Sequence, residues 1–367
     1  MTRDSPLPLP QPTSSQLHLR GLTPSQIAAA WSDLPLDLRV ARRLTHRVVG
    51  EYRDDIDTVT GLSSRALAAL RQRANLCRLR VIDRRASLVD PFVKYLFEAE
   101  DGARIEAVRI PLEKRRFSVC VSSQDGCALR CRFCATGRAG FRRNLAAWEM
   151  VEQVLAIRSE AHERPVTGVV FQGQGEPLLN YDNVLAAIDV LREPCGSRIG
   201  SDRITISTVG IPHMIERYTD EGHPYRLILS LTSAFDARRA SLIPSAGRYP
   251  VADLAQAMRR HARDRTRLVH VAWVLIAGVN SGEEEAEELA RLFPDTRVRV
   301  SLIDVNDATG AFRPAGDDER RAFLSALAAR GIAFVRRYSG GADIHAACGM
   351  LAASTQGGSP GIQPVLC

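Results

Sequence analysis

The 367-residue sequence has very little lysine: of its 49 basic residues only Lys94 and Lys114 are lysines, and the rest are arginines. It has no apolar run near the ~18 residues that span a bilayer. Segment 1–16 has no apolar core, so it does not resemble a secretory signal. We therefore expect a soluble, cytoplasmic protein with no membrane partner. A composition that is 45% hydrophobic and 25% charged excludes a disordered or collagen-like chain.

The eight cysteines are not spaced as a disulfide framework, because four of them lie between Cys120 and Cys134. In a chain of this length, such clustering indicates metal binding or redox chemistry. The net charge of +7 is compatible with a phosphate-rich partner, since a guanidinium group binds phosphate in a bidentate fork. Genome composition alone can produce the same arginine excess, so charge by itself leaves nucleic-acid binding open.

The first part of the chain is predicted to form a flexible tail and then a small accessory domain. Residues 1–19 are expected to form a flexible tail, because proline recurs at every second position from Pro6 to Pro12. Residues 20–95 are expected to form the accessory domain, with helices that begin at Thr23-Pro24-Ser25. Its last residues lead into a hairpin that turns at Asp101-Gly102.

Residues 96–353 are predicted to form a second domain, because from Phe117 onwards short β-rich runs alternate with helical stretches. The predicted strands are Phe117–Val121, Val166–Phe171, Arg203–Thr208, Arg226–Leu231, Leu268–Leu275, Arg297–Ile303 and Ile332–Tyr338. The predicted helices are Leu145–Ala161, Asn183–Arg192, Val251–Arg263, Glu283–Phe293 and Asp317–Arg330. Six or seven such units are too few for a closed eight-fold barrel, so we expect an α/β fold with a partial barrel. Residues 354–367 are expected to be a second tail.

The loop Cys127-Ala-Leu-Arg-Cys131-Arg-Phe-Cys134 is the strongest chemical signal in the sequence. Three thiolates on a short loop can hold three corners of a [4Fe-4S] cluster and leave the fourth iron open to a ligand. Phe133 would shield such a cluster from water. The alternative is structural zinc, but that metal prefers four closed ligands, and the sequence offers neither a second cysteine pair nor a nearby histidine.

This loop resembles the C-x₃-C-x-aromatic-C motif of the radical S-adenosylmethionine (SAM) superfamily. The longer string from Cys120 to Gly137 resembles the radical-SAM RNA adenine methyltransferases, which methylate adenine C2 in ribosomal and transfer RNA, and their relatives that methylate C8. The likeness runs from about residue 22 to 353. It implies a partial (β/α) barrel, cytoplasmic action on RNA as a monomer, two SAM molecules per turnover, and an electron donor such as flavodoxin or ferredoxin.

The resemblance also implies a SAM site at the ends of several predicted strands. Gly173-Gln-Gly175-Glu176-Pro177 matches the Gly-x-Gly-Glu-Pro loop of the family, where Glu176 accepts a hydrogen bond from the SAM amino group. The other implied SAM contacts are Ser207, Ser230, Leu231, Thr232 and Asn306. Without the family match, each of these polar residues reads more simply as a strand-end cap or turn.

The same resemblance assigns two cysteines and one carboxylate to methyl transfer. Cys348, in Ala-Ala-Cys-Gly, corresponds to the cysteine that takes a methyl group from a first SAM and loses one hydrogen atom to the radical made from a second. Cys120, seven residues before the first cluster ligand, corresponds to the cysteine that forms a transient disulfide with Cys348 and releases the product. Glu106, in Ile-Glu-Ala-Val, corresponds to the acceptor of the ring proton.

Several positions depart from the family pattern, all of them in SAM-adjacent or substrate-facing loops. Gln174 replaces a methionine and Thr232 replaces a histidine, while segments 304–310 and 339–345 lack the usual family strings. These changes indicate a divergent member. We favour methylation at C2 over C8. Two alternatives remain open: the same dithiol chemistry on another substrate, or a non-enzymatic iron–sulfur module that binds RNA.

A basic segment flanks the predicted active site. From Arg109 to Arg143 there are nine basic residues and two acids, Glu113 and Asp125. We expect this excess to attract an RNA backbone towards the cluster, together with the accessory domain. The alternative is a solvated face whose arginines pair with acids elsewhere in the chain.

Overall fold

The computed structural model of the chain describes residues 16–113, 116–161 and 165–352. Its strands, in chain order, are β1 (Leu17–His18), β2 (Ala74–Asn75), β3 (Arg80–Ala86), β4 (Val93–Glu98), β5 (Arg104–Leu112), β6 (Arg116–Val121), β7 (Gln124–Gly126), β8 (Phe141–Asn144), β9 (Val166–Phe171), β10 (Ile204–Thr208), β11 (Arg226–Ser230), β12 (Val269–Leu275), β13 (Val298–Asp304) and β14 (Ala333–Arg336).

The helices lie between these strands and at the N-terminal end. They are α1 (Pro24–Ala30), α2 (Leu38–Thr45), α3 (Ser64–Arg73), α4 (Ala135–Ala139), α5 (Ala147–Glu160), α6 (Tyr181–Arg192), α7 (Pro212–Asp220), α8 (Asp236–Leu242), α9 (Val251–His261), α10 (Glu283–Leu292) and α11 (Asp317–Ala329). Short 3₁₀ segments are Leu19–Gly21, Ile56–Thr58, Pro177–Asn180, Ser201–Arg203, Pro244–Arg248 and Ala342–Ile344, and short π segments are His46–Gly50 and Ala262–Thr266. No helix in the described ranges is both long and apolar enough to cross a membrane.

One ten-stranded sheet forms the centre of the fold, in the order β14-β13-β12-β11-β10-β9-β6-β5-β4-β3. The neighbours from β14 to β6 are parallel, while β5, β4 and β3 extend the sheet with antiparallel pairing. The order ends at β14 and β3, so the parallel strands form an incomplete barrel, which confirms the predicted fold class. Parallel strands place their carboxyl ends at one face, where barrel enzymes carry their active sites.

Each predicted strand after residue 116 is present, with its ends shifted by at most a few residues. The helices α7 and α8 were not predicted. Both are short, and α8 buries only one apolar side chain, Leu242, besides the guanidinium-bearing Arg239. A helix of this kind carries too few apolar residues for a 3.6-residue period to stand out.

The N-terminal helices begin where the sequence predicts. Thr23 caps α1 in a reciprocal pair of hydrogen bonds with Gln26, and Pro24 occupies the first helical position. The chain is already folded at Leu17–His18, which pairs with Ala74–Asn75, so ordered structure begins inside the segment predicted as a tail. The remainder of that tail and residues 354–367 lie outside the described residues.

A buried polar contact joins the N-terminal helices to the barrel. The Glu152 carboxylate on α5 receives a hydrogen bond from the Tyr52 hydroxyl at 2.9 Å and lies 3.0 Å from the Arg20 guanidinium.

The hairpin predicted around Asp101-Gly102 is present as β4 and β5, and β3 adds a strand that was not predicted. The domain boundary expected between residues 95 and 96 remains a prediction, and both residues lie within β4.

Candidate functional site

A deep cavity lies at the carboxyl ends of the parallel strands. Its volume is about 1320 Å³ when the open solvent at its mouth is counted. The predicted site residues that line it are Cys120, Cys127, Cys131, Cys134, Gly175, Glu176, Ser207, Ser230, Asn306 and Cys348. Residues from very different parts of the sequence therefore meet in one place.

Three predicted residues do not line this cavity. Glu106 lines a neighbouring cavity together with Arg85, Lys94 and Arg138. Leu231 and Thr232 are buried behind the cavity wall. Thr232 has a backbone φ of +65°, a conformation that costs a β-branched residue energy, and its hydroxyl has no hydrogen-bond partner among the described residues.

The cysteine loop is held by its neighbours on both sides. It lies between the paired strands β7 and β8, and the Cys127 N–H donates to the Gly140 carbonyl at 2.7 Å. Gly126 must be glycine at this turn, because a Cβ there would lie 1.8 Å from the Gly140 oxygen. On the other side, the Ser245 hydroxyl donates to the Leu129 carbonyl at 2.6 Å. Contacts within the protein therefore anchor the loop at both ends.

The donor set around this loop fits a [4Fe-4S] cluster. Burial raises the pKa of the Cys127 thiol to about 12 and that of Cys131 well above its ordinary value, so a bound cation is needed to stabilise the thiolates. Arg239 is fully buried behind the loop, and its Nη1 has no hydrogen-bond partner among the described groups. An anionic cluster or a SAM carboxylate would supply the acceptor that this guanidinium nitrogen needs.

The thiols do not converge as ligands of a single ion would. Within the described ranges, no three histidine, cysteine, aspartate or glutamate side chains are arranged to hold one metal ion. A cubane cluster does not require such convergence, because each thiolate binds a different iron.

The Gly173–Pro177 loop packs directly on the chain that follows β6. A Cβ on Gly173 would lie 2.7 Å from the Ser122 hydroxyl, and one on Gly175 would lie 2.5 Å from the Gln124 Cβ. This close approach brings Glu176 to the cavity, where its carboxylate accepts N–H groups of Leu178 at 3.0 Å and Val209 at 2.9 Å. Carboxylate oxygens have further lone pairs, so Glu176 can still accept from a ligand.

Cys120 and Cys348 lie in the same cavity wall. Burial raises the pKa of Cys120 to about 12, with the nearby Cys348 sulfur adding to this effect and Arg337 opposing it. Both are free thiols, and the described part of the chain contains no disulfide. The disulfide expected from the resemblance is therefore not a feature of this structure.

The segment that carries Cys348 is tied to the other elements of the site. The Cys348 N–H donates to the Ser339 hydroxyl at 2.8 Å, and the Gly349 carbonyl accepts the Ala135 N–H at 2.7 Å, one residue after the last cluster cysteine. Further along, the Ala352 N–H donates to Glu106 Oε2 at 2.7 Å. One short segment thus contacts both the cysteine loop and the predicted proton acceptor.

Two residues that sequence reasoning did not assign hold Glu106. The Lys94 ammonium lies 2.9 Å from Glu106 Oε1, in a pair with little exposure to solvent. The Gln174 side-chain oxygen accepts the Glu106 backbone N–H at 3.0 Å. Two sequence features could have indicated these contacts: Lys94 is one of only two lysines in the chain, and Gln174 replaces the methionine of the family loop.

The basic segment near the site carries less free charge than the sequence count indicates. Arg142 pairs with Asp125 at 2.5 Å. Arg143 pairs with Asp101 at 2.6 Å and with the buried Glu149 at 2.7 Å. Acids therefore neutralise these two arginines, as the alternative interpretation of the basic segment predicts. Lys114 and Arg115 lie outside the described residues.

Comparison with known proteins agrees with this geometry. The family model described as the radical SAM superfamily matches residues 121–293, the stretch from β6 to the helix α10. A crystal structure of a radical SAM methyltransferase from Sphaerobacter thermophilus is similar over 92% of this chain and 100% of that chain, with a TM-score of 0.85 and 37% identity.

Two curated proteins are similar over almost their whole length. A "Probable RNA methyltransferase" of Myxococcus xanthus is 43% identical over 94% of this chain and 96% of that protein. A "Probable dual-specificity RNA methyltransferase RlmN" of Heliobacterium modesticaldum is 39% identical over 95% of this chain and 91% of that protein.

Proposed function

Because the chain belongs to the family of radical-SAM RNA methyltransferases, we propose that it methylates an adenine ring carbon of ribosomal or transfer RNA, C2 in preference to C8. The observation that carries this proposal is the shared cavity of Cys120, Cys348 and the three loop cysteines. Adenine C2 is neither a good nucleophile nor acidic, so it needs a carbon radical rather than direct methyl transfer.

Different residues of the cavity would hold the cluster and SAM. Cys127, Cys131 and Cys134 would each hold one iron of a [4Fe-4S] cluster and leave the fourth iron to SAM. Glu176 and the strand-end residues Ser207, Ser230 and Asn306 would contact SAM. When bound, the reduced cluster and SAM supply the 5′-deoxyadenosyl radical.

The residues of the chain carry the methyl group itself. The Cys348 sulfur accepts a methyl group from a first SAM, and that S-methyl group gives up one hydrogen atom to the radical from a second SAM. The remaining methylene carbon bonds to the ring carbon. Glu106 takes the ring proton, and the adduct radical gives up one electron, which replaces the electron that the cluster, when bound, would supply for SAM cleavage. The Cys120 sulfur then attacks the Cys348 sulfur, so that a disulfide forms while the bond from carbon to Cys348 breaks. The third hydrogen of the new methyl group then arrives as a proton.

Lys94 and Gln174 are positioning residues in this scheme. The Lys94 ammonium neutralises the Glu106 carboxylate in a pair with little exposure to solvent, and Gln174 fixes the backbone from which Glu106 projects. The contact from Ala352 keeps the same carboxylate next to the segment of Cys348. These contacts fix the position of the carboxylate that is proposed to take the ring proton.

Two SAM molecules per turnover, a flavodoxin or ferredoxin as electron donor, and action as a monomer in the cytoplasm complete the proposal. These follow from the family scheme, in which one SAM provides the methyl group and the other is consumed to form the radical.

The test uses three cysteine variants with the reconstituted enzyme, RNA and SAM. Cys120→Ala should accumulate a protein–RNA adduct that survives denaturant, because nothing then attacks the Cys348 sulfur. Cys348→Ala and the double variant should form no adduct. Cys195→Ala changes a free cysteine outside the cavity and should methylate RNA like the unchanged enzyme. Normal methylation by both single variants at Cys120 and Cys348 would refute the assignments.

A further inference from the structure

A second cavity opens at the opposite end of the barrel, where the parallel strands begin. It is partly open, is lined by residues of β10 to β13 and of the flanking strands, and measures about 1310 Å³ with its open solvent included. An apolar layer that contains Val170, Ile228 and Ile303 lies between this cavity and the active-site cavity. Residues at the amino-terminal face of a barrel generally serve stability, so a group of charged side chains that lines a cavity there calls for a separate explanation.

The lining of this cavity is rich in cationic donors. Arg226 begins β11, and Arg299 lies on β13 in register with His270 of β12. Arg226 and Arg299 are exposed, and neither has a carboxylate partner among the described residues. Both guanidinium groups lie near enough to His270 to help burial lower its pKa to about 4.

The cavity contains few groups that could balance this charge. Asp202 is the carboxylate in its lining, and it already pairs with Arg203 at 3.1 Å. Arg337, between the two cavities, donates to the Gln172 side-chain oxygen, which is neutral. Hydroxyl groups of Ser118, Thr205 and Ser301 add further donors. Arg226 and Arg299 are exposed to solvent, but like charges that line one cavity still repel each other, and an anion bound between them would relieve this repulsion.

We propose that this cavity is a binding site for a small anion that carries two or three phosphate groups, such as pyrophosphate, triphosphate or the phosphates of a nucleotide. The three guanidinium groups without a carboxylate, on Arg226, Arg299 and Arg337, match two to three phosphate charges, and each can bind a phosphate through two parallel hydrogen bonds. The cavity is bounded by neighbouring strands at one end of the barrel, which favours a compact ligand over an extended RNA backbone.

The residues changed in the test lie away from methyl transfer. Arg226, His270 and Arg299 do not line the active-site cavity, whereas Arg337 lines both cavities and is left unchanged. The test can therefore fail while the proposed function holds, and the reverse is also true.

The experiment measures binding of triphosphate and pyrophosphate to the full chain by isothermal titration calorimetry, at constant ionic strength set with chloride. The unchanged protein should bind one anion. The double variant Arg226→Gln with Arg299→Gln should bind it at least about tenfold more weakly. The matched control, Arg263→Gln with Arg291→Gln, removes the same charge from outer helices and should bind like the unchanged protein.

The outcomes separate the possibilities. No binding to the unchanged protein, or equal binding to both double variants, would overturn the proposal. A parallel titration with a short single-stranded RNA provides a further arm. If the Arg226 and Arg299 variant loses RNA affinity and keeps its affinity for triphosphate, the cavity recognises RNA, and the proposal of a small anion is wrong.

Discussion

Removal of the Lys94 ammonium should expose how strongly the structure depends on the pair it forms with Glu106. Lys94 is 8% exposed and Glu106 is 2% exposed, with 2.9 Å between Nζ and Oε1. Lys94→Met keeps most of the side-chain volume and leaves a buried carboxylate without its cation. Such a loss costs about 3–5 kcal/mol of the free energy of unfolding, and the water-accessible cavity beside the pair favours the lower figure.

The double variant makes the reasoning testable. Glu106→Gln alone leaves the ammonium buried without an anion and should cost a similar amount, whereas Lys94→Met with Glu106→Gln removes both charges and should cost only about 1–2 kcal/mol. The coupling energy between the two sites, from urea unfolding followed by circular dichroism, should therefore reach at least about 2 kcal/mol.

A control cycle uses the exposed pair of Arg321 and Asp318 on α11, which should couple by no more than about 0.5 kcal/mol. Additive costs at Lys94 and Glu106, within about 0.5 kcal/mol, would show that the pair does not act as a unit and would refute the positioning role. Lys94→Arg should restore part of the stability, because it returns a cation to the carboxylate.

Three further predictions concern the cofactor site and the core. Anaerobically purified protein should be brown with one four-iron cluster, and Ala at Cys127, Cys131 or Cys134 should remove most of the iron; elemental analysis that finds zinc instead would contradict this. Arg239→Met should lower the midpoint potential of the cluster, on the order of tens of millivolts, because a buried cation beside it is lost; an unchanged potential in an EPR-monitored titration would place Arg239 outside its influence. Burial lowers the pKa of His261 to about 4, so this residue binds a proton in the unfolded chain but not in the folded one between pH 6.5 and 4, and its contribution to stability should fall with the pH by up to about 3 kcal/mol; His261→Asn should make the pH slope of stability less steep in urea unfolding measured across that range.

The parallel strands and the cysteine loop were predictable because their signals are local. An apolar run of five to seven residues with turns at both ends identifies a buried strand wherever it lies in the chain, and β9 matches its predicted limits at both ends. All three proposed ligands lie within the eight consecutive residues from Cys127 to Cys134. The helix α8 shows the limit, since its buried Arg239 gives no apolar signal.

The surroundings of Glu106 were not predictable because they depend on contacts between distant residues. Lys94 and Glu106 lie on neighbouring antiparallel strands, and Gln174 comes from a loop 68 residues further along the chain. The net charge of the basic segment was overestimated from the sequence for the same reason. Its charge count stops at Arg143, while the acids Asp101 and Glu149 that neutralise this arginine lie outside the counted window.

The most direct test of the central claim follows the hydrogen atoms of the transferred methyl group. The enzyme is supplied with SAM that carries a CD₃ group, with RNA and a reductant, and the RNA nucleosides are analysed by mass spectrometry. Transfer by way of Cys348 should yield methyladenosine with two deuterium atoms in the new methyl group, and 5′-deoxyadenosine with one. A methyl group that keeps all three deuterium atoms, or RNA without methyladenosine, would contradict the account.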